Sequence, residues 1–132
     1  DRRLLADLSR CGWQALKPLI QTAVPEAECE PGAVVSTQSF GDFPERFHPH
    51  LHILATDGAF YAKGLFRVAS RFPVKELERL FRHKVLRMLL DKGRMSPEII
   101  RIMDRWRHSG FNVYRGPRIL PREKKSLERL AA

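Results

Sequence analysis

Apolar residues fall every three or four positions across residues 2–21, with Leu4, Leu5, Leu8, Cys11, Leu16, Leu19 and Ile20 on one stripe. A repeat near 3.6 predicts an amphipathic helix there, weakened by Gly12 and Pro18. Pro25, Pro31 and Gly32 then mark a loop. The β-branched and aromatic run Ala33-Val34-Val35-Ser36-Thr37-Gln38-Ser39-Phe40 predicts a strand. Gly41 to Phe47 reads as a loop, and His50 to Thr56 as a second strand. Asp57-Gly58 is the strongest short hairpin signal, because both residues accept the left-handed backbone of a tight turn. Phe60 to Val68 should therefore return antiparallel to the histidine strand, with Phe60, Ala62, Phe66 and Val68 on one face.

Helical spacing resumes at Leu77, Leu80, Phe81, Val85, Met88 and Leu89, with Gly93 near the expected end. Ser96-Pro97-Glu98 starts another helix with a capping hydroxyl, a first-turn proline and an acid near the positive end of the dipole. Its stripe of Ile99, Ile102, Met103 and Trp106 is expected to be buried, and Ser109-Gly110 to end it. Phe111 to Tyr114 reads as a short strand, and Pro121 opens a last basic helix. Strands grouped around one hairpin and followed by helices predict an α+β fold, an antiparallel sheet that carries the histidines and is covered by helices. One partial domain is expected over 1–132, with 1–32 as N-terminal helix and linker and 33–132 as core. The chain starts at Asp1 inside one helical pattern and stops at Ala132 inside another.

A chain of 132 residues can bury a real core. No apolar run approaches a membrane span, and no signal-peptide pattern opens the chain. Cys11 and Cys29 lie outside any C-x-x-C spacing, so neither a zinc ribbon nor a disulfide framework is indicated and a reduced, cytoplasmic setting is expected. Charge is segregated. Residues 1–66 hold six Lys/Arg against eight Asp/Glu, and residues 67–132 hold eighteen against seven, so the net +9 arises wholly in the second half. Such a field attracts polyanions, nucleic acid first.

The chemistry centres on His48-Pro49-His50-Leu51-His52. Side chains repeat every two residues on a strand, so His50 and His52 project from one face about 6–7 Å apart along the backbone. Two imidazoles at that spacing reach one cation. Pro49 lacks an N–H and belongs at a strand start or edge, which puts His48 at the mouth of the site. Gln38 on the preceding strand is a candidate third ligand through its amide oxygen, and His48 a candidate phosphate contact. Asp57 is assigned to the turn. Tyr61 and Tyr114 read as structural residues that bury a ring, and Trp106 as core, with base stacking as the other role open to it.

Two known patterns fit. One is the histidine-triad nucleotide hydrolase motif, His-x-His-x-His before two apolar residues, in which one histidine attacks a nucleotide phosphate. The other is the HUH nuclease pattern, here His50-Leu51-His52, in which the pair binds a divalent ion and a tyrosine attacks the scissile phosphate. A basic DNA-binding module without catalysis is the third possibility.

Three blocks carry a more specific resemblance: Gln38 to Asp42 leading into His48 to Phe60, Phe81 to Leu90, and Trp106 to Val113. In this order they resemble the two-tyrosine rolling-circle insertion-sequence transposases of the HUH nuclease superfamily over most of residues 33–130. The resemblance implies an HUH-like core, incomplete here, that nicks and rejoins single-stranded transposon ends in DNA transposition, with Mg²⁺ or Mn²⁺ held by His50 and His52. It implies a bacterial, nucleoid-associated location. The family's cysteine-rich zinc module has no counterpart in this chain. Its nucleophilic tyrosines follow a Leu-Ala-Arg-Tyr-like stretch, whereas this chain ends Leu130-Ala131-Ala132, so the nucleophile is expected beyond Ala132. DNA contacts are expected from Arg101, Arg105, Arg107, Arg115, Arg118, Arg122, Lys124 and Lys125, which together should make affinity fall steeply with salt.

Overall fold

The leucine stripe folds into helix α1 (Arg2–Ala23) in the computed structural model, which describes residues 2–40, 47–69, 73–107 and 111–116, with 38–40 and 47–49 as backbone. Strands β1 (Cys29–Glu30), β2 (Ala33–Phe40), β3 (Phe47–Ala55), β4 (Gly58–Tyr61) and β5 (Leu65–Val68) follow, then α2 (Val74–Asp91) and α3 (Pro97–Met103). All strand pairs are antiparallel, so the α+β class is as expected. The sheet, however, is divided: β1-β4-β5 form one piece and β2-β3 the other.

That division corrects the hairpin expectation. β3 pairs with β2 and not with β4, so Asp57-Gly58 is no hairpin turn and Phe60 to Val68 is no partner of the histidine strand. Asp57-Gly58 instead lies where the chain passes from one sheet to the other. Thr56 fixes that corner: its N–H donates to the Gly32 carbonyl at 2.8 Å, and its hydroxyl accepts from the Gly32 N–H and donates to the Gly58 carbonyl. The true hairpin joins β4 to β5 through Ala62-Lys63-Gly64, with Ala62 and Gly64 in the left-handed region at φ 48° and 88°. Glycine accepts that region without strain, whereas Ala62 is held there by the turn.

The core forms where α1 crosses both sheets. Leu16, Ile20, Val24, Cys29 and Ala59 are buried together, with Trp13, Ile53, Ala55, Tyr61, Ala69 and Leu77 packed against them. Each large aliphatic side chain so placed contributes about 1.5–3 kcal/mol of transfer free energy. Gly12 lets β3 approach α1 closely, since a Cβ there would stand 2.5 Å from Leu51 Cδ1 and 3.4 Å from Ile53 Cδ1. Burial, assisted by the nearby Asp7 carboxylate, raises the Cys11 thiol above its ordinary value, so it stays protonated and unreactive at neutral pH.

Helix α2 packs on α1 through Val85 and Leu86. It ends in a Schellman motif, in which the Gly93 and Arg94 N–H groups donate to the Leu90 and Leu89 carbonyls with Gly93 at φ 69°. Lys92, at that end, reaches Asp7 on α1, which also accepts from Arg10 at 2.9 Å. The Lys92 hydrogen bond, more than any other contact, holds the Asp7 carboxyl below the usual carboxylate range. A depressed carboxylate stabilises the fold above its unfolded pKa, and that contribution fades as pH falls through the lowered folded value. The gap in Tm between the wild type and Asp7→Asn should therefore be full at neutral pH and close below about pH 4, as thermal melts across pH would show.

The third helix departs from expectation in its burial. Ser96 caps it by accepting from the Ile99 N–H at 3.4 Å, yet none of its residues is buried. Ile99, Ile102 and Trp106 are 47%, 55% and 50% exposed, so the stripe expected to be buried faces outward. Period alone identifies an apolar stripe, not the layer that would cover it. Phe111–Tyr114 is not a strand either: Phe111 packs edge-on against Phe81 of α2, with ring centroids 5.7 Å apart. Residues 41–46, Ser109-Gly110 and the Pro121 helix lie outside the described residues. Among those described, no helix is long and apolar enough to cross a membrane.

Candidate metal centre and nucleic-acid interface

The β2–β3 ladder decides where the histidines point. Ala33, Val35 and Thr37 stand across from Ala55, Ile53 and Leu51, while Val34, Ser36 and Gln38 stand across from Leu54, His52 and His50. Leu51 and Ile53 approach Gly12 of α1, so their face is the one covered by helix. Alternation then sends His50 and His52 to the opposite face. That face is open: His50 is exposed, His52 half-buried, and Val34 54% exposed.

Side by side there, the two rings have centroids 5.4 Å apart and planes inclined at 48°. Rings that share one ion, each bonded about 2.1 Å from it, have centroids about 4.6–5.3 Å apart as the bond angle goes from right to tetrahedral. The observed pair lies just beyond that range, nearest the tetrahedral value, so the rings would close slightly to share a cation. Among the described residues no cluster of three or more His, Cys, Asp or Glu could hold a metal. A third protein ligand, if the pair holds an ion, would come from another residue type or from a residue outside those described. The register places Gln38 directly across from His50, as a candidate amide ligand would need.

His48 and Pro49 lie where the ladder slips. Gln38 pairs with His50 but Phe40 pairs with Phe47, so β3 carries one extra residue over this step. A bulge is one of the few places in a sheet that tolerates a proline.

Of the arginines expected to contact DNA, Arg101, Arg105, Arg107 and Arg115 are described, and all are exposed. Arg101 is engaged by Glu98 at 3.1 Å. Arg118, Arg122, Lys124 and Lys125 lie outside the described residues. Tyr61 packs against the core as expected. Tyr114 does not: it is 86% exposed, and Trp106 is likewise no core residue. An apolar period alone predicts core at Trp106, whereas the arginines on either side of it signal the exposed position it takes.

The model of the family described as "Putative transposase" (Y2_Tnp) matches residues 32–132, more than three quarters of the chain. No curated protein and no solved structure matches.

Proposed function

Because the chain belongs to this transposase family, we propose that it serves DNA transposition by presenting single-stranded DNA to a divalent ion held by His50 and His52. The observation that carries this reading is the paired imidazoles on the open face of β3, 5.4 Å apart. Mg²⁺ or Mn²⁺ bound there would polarise a phosphodiester oxygen and ease attack on phosphorus. Both ions favour oxygen, which the Gln38 amide and water would supply beside the two imidazoles.

The chain's own residues then divide the work. His50 and His52 hold and orient the ion, Gln38 lies in register to complete the set, and His48 stands next to the phosphate. The exposed arginines around residues 101–115 neutralise the DNA backbone. The attacking tyrosine is neither Tyr61, which lies against the core, nor Tyr114, whose flanking residues lack the family's tyrosine motif. Pro49 stands where the histidine-triad pattern prefers an aliphatic strand residue, which counts against that hydrolase.

Titration of a labelled oligonucleotide by fluorescence anisotropy at several salt concentrations tests the DNA half of the reading. Neutralising four to eight phosphates on a single strand gives log K against log salt a slope of about −2.8 to −5.6. Replacing Arg105 and Arg107 together with alanine should reduce that slope by about 1.4. A slope near zero would exclude backbone neutralisation as the basis of binding.

A further inference from the structure

We propose that Trp106 and Tyr114 form a stacking platform for unpaired bases, which makes this surface selective for single-stranded nucleic acid. The proposal rests on the DNA-binding reading and adds to it the residues that tell single strand from duplex.

Both rings are exposed, Tyr114 more than any other large hydrophobic side chain among the described residues. Trp106 is 50% exposed and Tyr114 86% exposed, in a chain with only two tryptophans and two tyrosines. An exposed ring that size carries a standing hydration cost, and a base offers a flat apolar face that removes it. A residue shortly before each ring is tied to α2. Asp104 takes the Arg82 guanidinium at 2.9 Å, and Phe111 packs on Phe81, so neighbouring residues of α2 pin the backbone just before Trp106 and just before Tyr114.

The surrounding charge identifies the occupant. Residues 94–116 contain five Lys/Arg and two Asp/Glu. Both acids are engaged elsewhere, Glu98 with Arg101 and Asp104 with Arg82, so neither offsets Arg105 or Arg107 beside the tryptophan. A hydrophobic protein partner would have to desolvate those cations, whereas a polyanion is attracted by them. Cations that follow a phosphate backbone, interleaved with aromatics that take bases, are the arrangement that single-strand binders use. Duplex DNA hides its base faces and gains only the charge term.

The test compares three ligands at fixed salt: a thymidine oligomer, an oligomer of equal length with abasic sites, and a duplex. Wild type should prefer the thymidine oligomer to the abasic one. Trp106→Ala and Tyr114→Ala should each weaken thymidine binding about tenfold and leave abasic binding within about twofold, whereas Trp106→Phe should keep most of the affinity. Thermal melts of each variant guard against loss of fold. Equal weakening on thymidine and abasic oligomers, or none on either, overturns the platform. If wild type binds both oligomers equally well, DNA binding stands and stacking falls. If wild type binds none of the three, both readings fall together.

Discussion

Replacing His50 and His52 together with alanine should weaken Mn²⁺ binding by at least about a hundredfold while leaving the fold intact. The size of the effect follows from the ligand set. Loss of a residue that merely supports a metal ligand costs about 10–100-fold in affinity, and this double substitution removes both imidazoles of the site. Stability should hardly change, because His50 is exposed and His52 only half-buried on the face of β3 opposite α1. Surface substitutions of this kind stay within about 0.5 kcal/mol. Titration calorimetry with Mn²⁺ measures the first quantity and a thermal melt the second. The single variants should fall between the double variant and wild type, since one imidazole with water and an amide oxygen still binds weakly. DNA affinity measured without metal should be unaffected, because the arginines and not the histidines carry the charge term.

Gly58→Ala should destabilise the protein by about 3 kcal/mol, the upper part of the range for overpacking. A Cβ at this position would stand 1.9 Å from the Arg67 carbonyl oxygen and 2.8 Å from the Val68 Cα. Those are backbone atoms of the paired strand, so no side chain can swing aside to make room. The β4–β5 ladder must part locally, and Ala59, fully buried next to it, loses its packing. For a domain of this size the loss corresponds to about 10 °C in Tm, readily seen by circular dichroism. The contrast with Gly12 is informative. There the crowded neighbours are terminal methyls of Leu51 and Ile53, which can shift, so Gly12→Ala should cost far less.

The same glycine shows where sequence reading failed and why. Asp57-Gly58 was read as a turn because that dipeptide favours left-handed backbone. In the fold its glycine serves a different need, the absence of a side chain at a close strand crossing. Sequence alone does not separate these two uses of glycine, since both look the same one residue at a time. The error moved β4 next to β3 and so merged two sheets into one. It left the histidine strand legible all the same, because β2 and β3 declare themselves by their own composition and pair with each other.

Helices were legible in position and less so in burial. The end of α2, just before Gly93, and the cap of α3 at Ser96 were legible because those signals are local: a left-handed glycine after the C-cap and a hydroxyl accepting from an N–H three residues on. The outward face of α3 was not legible. Ile99, Ile102 and Trp106 repeat at helical spacing whether or not a partner layer covers them. For the candidate site, the two-residue spacing of His50 and His52 already implied a shared face. Which face that was depended on Leu51 and Ile53 seating against Gly12, a tertiary contact between residues some forty positions apart.

Whether one ion bonds both rings can be read directly from pulsed electron paramagnetic resonance of the Mn²⁺-loaded protein, which detects nitrogen nuclei bonded to the metal. The spectrum should show coupling to two imidazole nitrogens, reduced to one in His50→Ala or His52→Ala and to none in the double variant. A wild-type spectrum without nitrogen coupling, or one unchanged in the double variant, would contradict the metal centre.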